Sequence, residues 1–424
     1  MNIHIQNGRV VDPKNQVDRV TDIFIAEGKI VAAGQQNFRA DRVIDAAGLI
    51  VCPGLVDLSA RLREPGYEYK ATLESEMAAA AAGGVTSLAC PPDTDPPLDE
   101  PGLVEMLKHR ARSLNQAHVY PLGALTQGLA GERLTEMAEL ADAGCVAFSQ
   151  ADAPLPDTLV LFHALQYAAT FGFTVWLRPQ DAFLGKEGVA HDGIVATRLG
   201  LPGLPSFAET IALSTILILA RETQAKIHLC RISTAAGVNL LREAKRQGLN
   251  ISCDTTCNHV LLTEMDLCYF DANCHLSPPL RTARDRDALR AGLLDGTINA
   301  LCSDHTPVDE DAKLLPFAES EIGATGLELL LPLTLKWATE NHIELMLAVN
   351  KISWAPAQVL GIDKGHLSVG SIADVCIFDP QALWKIEAKG LKSQGKNTPF
   401  LGMEVPGKVR YTLVEGRVVY ETHD

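Results

Sequence analysis

Between residues 51 and 350 the chain alternates strand-like and helix-like segments eight times, and this alternation constrains the fold most. The strand candidates are Val51–Leu58, Val85–Pro91, His118–Leu122, Cys145–Ser149, Thr174–Arg178, Lys226–Ile232, Asn250–Thr255 and Ile298–Ser303. The helical candidates are Tyr69–Ala82, Pro101–Leu114, Glu132–Ala143, Asp157–Phe171, Phe207–Glu222, Thr234–Gln247, Asp285–Leu294 and Thr325–Asn341. The first of these runs through alanines to Gly83-Gly84, a helix stop signal. Short apolar strands that alternate with helices form parallel sheets, and eight such units predict an α/β fold of the TIM-type (β/α)8 barrel class. A barrel of this kind carries its active site at the C-terminal ends of its strands.

The two ends of the chain read differently. Residues 1–50 hold short alternating runs (IHIQNGRVVD, TDIFIAEGKIVAAG, RVIDAAGLIV) punctuated by glycine, an antiparallel β unit too small to close a core alone. Residues 351–424 begin with a helix and continue as SVGSIADVCIFDP and KVRYTLVEGRVVYE, again short strands with glycine turns. The expected organisation is therefore 1–50 and 351–424 as the halves of one small β-sandwich, with the barrel of residues 51–350 inserted between them.

Composition narrows the class. Hydrophobic residues make up 47% of the 424, enough for a sizeable core. The formal net charge of −15 argues against a nucleic-acid surface. No apolar run reaches the ~18 residues of a membrane span, and MNIHIQNGRV lacks the pattern of a secretory signal. The ten cysteines contain no C-x-x-C pair and mostly sit in apolar runs, which predicts buried free thiols in a reducing, cytoplasmic setting. Cys253, Cys257 and His259 are an alternative reading as a structural zinc site, on a spacing that matches no strong pattern.

The first barrel strand carries the most specific motif, VCPGLVDLSARLREPG over Val51–Gly66. It resembles the first barrel strand of the cyclic amidohydrolases, and of dihydroorotases in particular. Pro53, Gly54, Leu55, Asp57, Leu62, Arg63, Glu64, Pro65 and Gly66 match that frame. The resemblance continues through KIHLCRIST, INALCSDHTPV, Pro278-Pro279-Leu280-Arg281, Gly326-Leu327-Glu328 and Gly370-Ser371-Ile372-Ala373-Asp374 to the end of the chain.

The resemblance implies a zinc centre held at six positions. Here those positions are Ser59, Arg61, Gln150, Arg178, Arg231 and Asp304, and of these only Asp304 keeps the family's ligand. Guanidinium groups have no lone pair for a metal, and serine is a poor zinc ligand. Asp152 lies near the strand-four position but out of register. Three arginines exceed one aspartate, so further acids or an anion are needed to neutralise them. On the substrate side the resemblance places Arg63 near a substrate carboxylate. Asp93 replaces a family asparagine and would repel that carboxylate, Ser277 replaces a second asparagine, and Val308 replaces a histidine. Arg63 has a second reading as a tie for the strand-one loop.

These substitutions lead to an expectation of no bound metal, no cofactor and lost cyclic-amide hydrolysis. The resemblance to non-catalytic dihydroorotase-like chains implies a role as assembly partner of the aspartate transcarbamoylase catalytic chain in pyrimidine biosynthesis, in an oligomer, with no nucleic acid and no membrane. One alternative is an active metal-dependent amidohydrolase with an atypical centre of Asp304, Asp152 and His305 or His228. Another is an anion sensor built on Arg61, Arg178 and Arg231.

Overall fold

In the computed structural model, which describes residues 1–32 and 38–422, the eight alternating units close into one barrel. Its strands are β1 (Leu55–Asp57), β2 (Val85–Cys90), β3 (His118–Ala124), β4 (Ala147–Ser149), β5 (Thr174–Leu177), β6 (Lys226–Leu229), β7 (Ile251–Thr256) and β8 (Ala300–Cys302). Every neighbouring pair is parallel and in sequence order. The ring shuts beyond the last regular pairs, where Arg61 N donates to His305 O at 2.9 Å and His305 N donates to Ser59 O at 3.0 Å. Residues just past β1 and β8 thus hold the seam together, at the end where the site lies.

Helices follow the strands close to where the pattern puts them, for example Pro101–Leu114, Thr158–Phe171, Phe207–Thr223 and Ala283–Leu294. Their starts are fixed by side-chain caps. Thr72 and Thr282 form capping boxes with Ser75 and Asp285, and Asp157 and Thr234 accept from first-turn N–H groups. The barrel interior is filled by Val56, Leu58, Ala89, Leu122, Ala147, Trp176, Ala300 and Cys302. The helix Trp354–Leu360 sits under it and contributes Ala357 and Leu360 to the same cluster. The barrel is therefore a packed core, not a pore.

The stretch expected as one strand over Val51–Leu58 is two. Ile50–Pro53 belongs to an outer sheet and Leu55–Asp57 to the barrel, with the break at Gly54. A Cβ at Gly54 would lie 2.1 Å from Thr86 Oγ1, so the chain can pass from one sheet to the other only with no side chain there. The outer six-stranded sheet joins both ends of the chain: Cys52 faces Cys376 and Val51 faces Ile377. A four-stranded sheet of Lys29–Val31, Ile23–Ala26, Ile3–Gln6 and Arg42–Asp45 shares a core with it through Ile3, Ile5, Ile25, Val51, Val375 and Ile377. The N-terminal pairing is mixed, not purely antiparallel as the sequence suggests: Ile3–Gln6 runs parallel to Arg42–Asp45, and Arg9–Asp12 parallel to Ile50–Pro53. Residues 33 and 34, at the end of the second N-terminal run, lie outside the described residues.

Two further features follow the sequence reading. Among the described residues no helix is long and apolar enough to cross a membrane. All ten cysteines are free, and only Cys268 is exposed. One feature does not follow: the segment after Lys385 folds back onto the barrel, where Asn397 Nδ2 donates to Thr306 O and Gly323 O, both at 3.0 Å. The C-terminal region thereby braces the loop after β8.

The crossing at Gly54 is testable. Gly54→Ala is expected to lower stability by about 1–3 kcal/mol, since overpacking forces neighbours from their positions. Gly102→Ala, at a helix position with nothing within 4 Å, is expected to be neutral or stabilising. Thermal melts of both variants check this, and an unchanged melting temperature for Gly54→Ala would contradict it.

Candidate functional site at the barrel mouth

At the C-terminal mouth, the residues that follow β1, β4, β5, β6 and β8 converge on a layer of paired charges. Asp304, after β8, accepts from Ser59 Oγ at 3.1 Å, from Arg61 Nη1 at 3.3 Å and from Arg231 Nη1 at 3.1 Å. Arg61, after β1, donates its Nε to Asp93 at 2.7 Å, its Nη2 to Asp152 at 2.8 Å and its Nη1 also to Thr306 at 3.0 Å. Arg231, after β6, donates to Asp152 and to the Ser277 carbonyl at 3.1 Å. Arg178, after β5, reaches Asp152 as well: its Nε lies 2.7 Å from Oδ1 as an ion pair not aligned for a hydrogen bond, and its Nη2 donates to the Asp152 carbonyl at 3.1 Å. Asp152 is thus the hub of three guanidinium groups.

The backbone reaches these positions through unfavourable conformations. Ala151, Arg231, Asp304 and Arg63 all have φ between 50° and 62°, the left-handed region that side chains disfavour. Ala151 explains the register. Strand β4 ends at Ser149, whose hydroxyl accepts from Ala151 N, and the left-handed turn at Ala151 swings Asp152 into the mouth.

Burial and pairing set the charge states. Burial pushes the Asp152 carboxyl up, but Arg231, Arg61 and Arg178 outweigh it and hold it well below the usual carboxylate range. Asp304 goes the other way: burial raises it, and Arg231 and Arg61 offset that only in part. Burial lowers Arg178 and Arg63, whereas for Arg61 and Arg231 the neighbouring aspartates more than compensate and raise them. Arg63 is the exception to the pairing. Its Nε donates to the Pro307 carbonyl at 2.8 Å and its guanidinium lies 6.0 Å from the Tyr67 ring; among the described residues no carboxylate forms an ion pair with it, Asp93 and Glu321 acting on it only from further away, and it is only 8% exposed. It faces a cavity of about 700 Å³ that Arg61, Arg178, Arg231, Asp152 and Asp304 also line.

Behind this layer is a set of hydrogen-bonded groups. Asp57 accepts from Ser303 N at 2.9 Å and from its hydroxyl, and burial pushes it up to about 6. His305 is bound to Glu76 at 2.6 Å and its Nδ1 accepts from Gly326 N. His228 bridges Ser252 at 2.8 Å and Asp254 at 2.9 Å beneath Trp176. Neither histidine is directed at Asp304, which removes the reading of a centre completed by His305 or His228.

Five of the six positions tied to the zinc centre meet in the layer: Ser59, Arg61, Arg178, Arg231 and Asp304. Gln150 does not. Its Nε2 donates to the Leu129 carbonyl at 2.8 Å and its Oε1 accepts from Thr126, on the outer side of the strand end. Asp93 is not a free repulsive charge, because Arg61 pairs with it. Ser277 contributes its carbonyl, not its side chain. Val308 is buried against the C-terminal segment, where its N–H donates to Asn397 Oδ1, and it does not line the cavity. The central place of Asp152 is the residue that sequence reasoning undervalued; a strand-end alanine in a left-handed turn leaves no clear mark in sequence.

The zinc that the resemblance implies does not fit these residues. Around Asp304 the nearest side chains are two guanidinium groups, which have no lone pair to give, and the Ser59 hydroxyl, a poor zinc ligand that donates to Asp304; both carboxylates are engaged by guanidinium groups. The zinc reading of Cys253, Cys257 and His259 fails as well. Cys253 Sγ bonds the Thr297 carbonyl, Cys257 lies against Leu330 and Thr334, and His259 spans Thr256 and the Pro278 carbonyl.

A (β/α)8 barrel with small sheets built from both chain ends, and a polar pocket at its mouth, defines the amidohydrolase class. L-hydantoinase from Arthrobacter aurescens superposes with a TM-score of 0.89 at 26% identity, over 100% of this chain and 96% of that one. The family model described as Dihydro-orotase-like matches residues 48–236. A "Dihydroorotase-like protein" of Pseudomonas aeruginosa is 44% identical over 423 residues, 99% of this chain and 100% of the relative. A "Dihydroorotase" of Geobacter sp. strain M21 is 41% identical over the same shares. The chain belongs to the dihydroorotase-like family of amidohydrolases. These relatives overturn the expectation of lost hydrolysis, since full-length relatives at 41–42% identity carry the name of the enzyme and a hydantoinase shares the whole fold; they point to an active cyclic amidohydrolase.

Removing the hub is expected to be costly. Asp152→Ala leaves three buried guanidinium groups with two carboxylates. Breaking a buried pair costs about 3–5 kcal/mol, and about 2–4 kcal/mol is expected here because Asp152 keeps 35% of its side chain exposed. The sign with pH follows from the depressed carboxyl. Its contribution is present above the unfolded value of about 4 and is lost as pH falls below it. Denaturant melts between pH 3 and 7 should show the gap between native chain and variant narrowing toward acid; a constant gap would contradict the assignment.

Proposed function

We propose that the chain opens or closes a carboxylate-bearing cyclic amide of the dihydroorotate kind at the barrel mouth. The observation that carries this is Arg63, a buried guanidinium that forms no ion pair with a carboxylate among the described residues, facing the same cavity as Asp304. A substrate carboxylate would complete it with charge-assisted hydrogen bonds. Asp93 does not oppose such an anion, because Arg61 neutralises it.

Cyclic-amide hydrolysis needs a base for water, positive charge for the oxyanion and a proton for the departing ring nitrogen. Asp304 suits the first role, since burial raises its carboxyl toward the working range of a general base. Arg61 and Arg231, fixed on either side of it, supply preorganised N–H donors for the developing oxyanion. The proton taken by Asp304 can then pass to the leaving nitrogen as the ring opens. The aspartate must be ionised to start, so the hydrolytic rate is expected to rise with pH through the raised Asp304 value and level off above it.

The test is ring opening of dihydroorotate and ring closure of N-carbamoyl aspartate by the purified chain. Asp304→Asn is expected to reduce either rate at least a hundredfold, and Arg63→Ala to raise KM more than it lowers kcat. Turnover by Asp304→Asn equal to that of the native chain would rule out the assignment.

A second proposal concerns a partner. The complete set of barrel units and end sheets is retained while the mouth is rebuilt, which favours an additional scaffolding task that depends on other residues. The sequence resemblance supports the aspartate transcarbamoylase catalytic chain as that partner. Light scattering of the mixed chains on a sizing column should show a stoichiometric complex; separate elution of the two would end the proposal.

A further inference from the structure

We infer that guanidinium charge takes the place of a divalent metal at the mouth of this barrel, and that the centre excludes such ions. The inference rests on the pocket being the site described above, but not on turnover, because metal content is read without an assay.

Three observations carry it. The first is chemical: the groups around Asp304 are a serine hydroxyl and two guanidinium groups, all donating toward it. A metal needs lone pairs from that direction; the guanidinium groups have none, and the serine hydroxyl is a poor ligand whose proton is turned to Asp304. The second is occupancy. Asp304 Oδ1 accepts from Ser59, Arg61 and Arg231, and Asp152 is held by Arg61, Arg178 and Arg231. An ion between these two carboxylates would sit within reach of two or three fixed positive charges, carried by side chains that are at least nine-tenths buried. The third is balance. Arg61, Arg178 and Arg231 face Asp93, Asp152 and Asp304, so the layer is already neutral, with Arg63 left over for an anion.

The remaining candidate for a metal among the described residues is the group His228, Cys230 and Asp254, whose ligand atoms lie within 4.8 Å of one another. Its histidine already spans Ser252 and Asp254, and Asp254 also accepts from Arg231 N at 2.6 Å. This group works as the hydrogen-bonded floor that fixes Arg231 from below.

The experiment is elemental analysis and thermal melting of the full chain. After incubation with excess zinc and desalting, less than about a tenth of a zinc per chain is expected, and a chelator should leave the melting temperature unchanged within about one degree. Stoichiometric zinc that survives Cys230→Ala would overturn the inference, since it would place the ion at the mouth. Zinc lost with Cys230→Ala would assign it to the floor and uphold a metal-free mouth. The converse variant, Arg61→His with Arg231→His, replaces guanidinium by imidazole beside both aspartates. It is expected to gain a zinc-dependent rise in melting temperature that the native chain lacks. A folded variant, judged by circular dichroism, with no response to zinc would contradict the claim that guanidinium charge is what excludes the ion.

Discussion

Three buried guanidinium groups share three carboxylates at the mouth of the barrel, and this pairing orders the layer. Arg61, Arg178 and Arg231 are each at least nine-tenths buried, and an unpaired charge there would cost several kcal/mol. Asp152 and Asp304 meet that need only because the chain adopts left-handed turns at Ala151, Arg231 and Asp304, each costing on the order of 1–3 kcal/mol. The ion network offsets that strain, and the strain in turn aims the charges. Strand ends from five of the eight units are thereby tied to one another.

The ties extend downward and outward. Arg231 N is held by Asp254, Asp254 by His228, and His228 by Trp176 at the centre of the barrel core. On the seam side, Asp57 holds Ser303 while His305 joins the β1 and β8 ends to Glu76 on the first helix. Asn397 then fastens the loop after β8 to the C-terminal segment.

Much of the fold was legible because its determinants are local or periodic. Eight strand and helix signals and the Gly83-Gly84 stop all sit in short windows of sequence. The split at Gly54 was not legible, since its cause is Thr86 across the sheet. At the site, residue identity announced the replacement of ligands at Ser59, Arg61, Arg178 and Arg231, but geometry decided the roles. Gln150 faces outward, Asp93 is paired with Arg61, and Asp152 reaches the centre through a turn at Ala151 that composition does not predict. The activity itself could not be read from ligand identity alone: the expectation of an inert chain fell to relatives of the same length that carry the enzyme's name.

The central claim is that Asp304 and Asp152 are held by arginines in this chain. A crystal structure of the full chain grown with zinc, with diffraction collected at the zinc absorption edge, tests it most directly. The account predicts Arg61 and Arg231 in contact with both aspartates and no anomalous peak between them. A peak there, with the two arginines turned into the cavity, would contradict it.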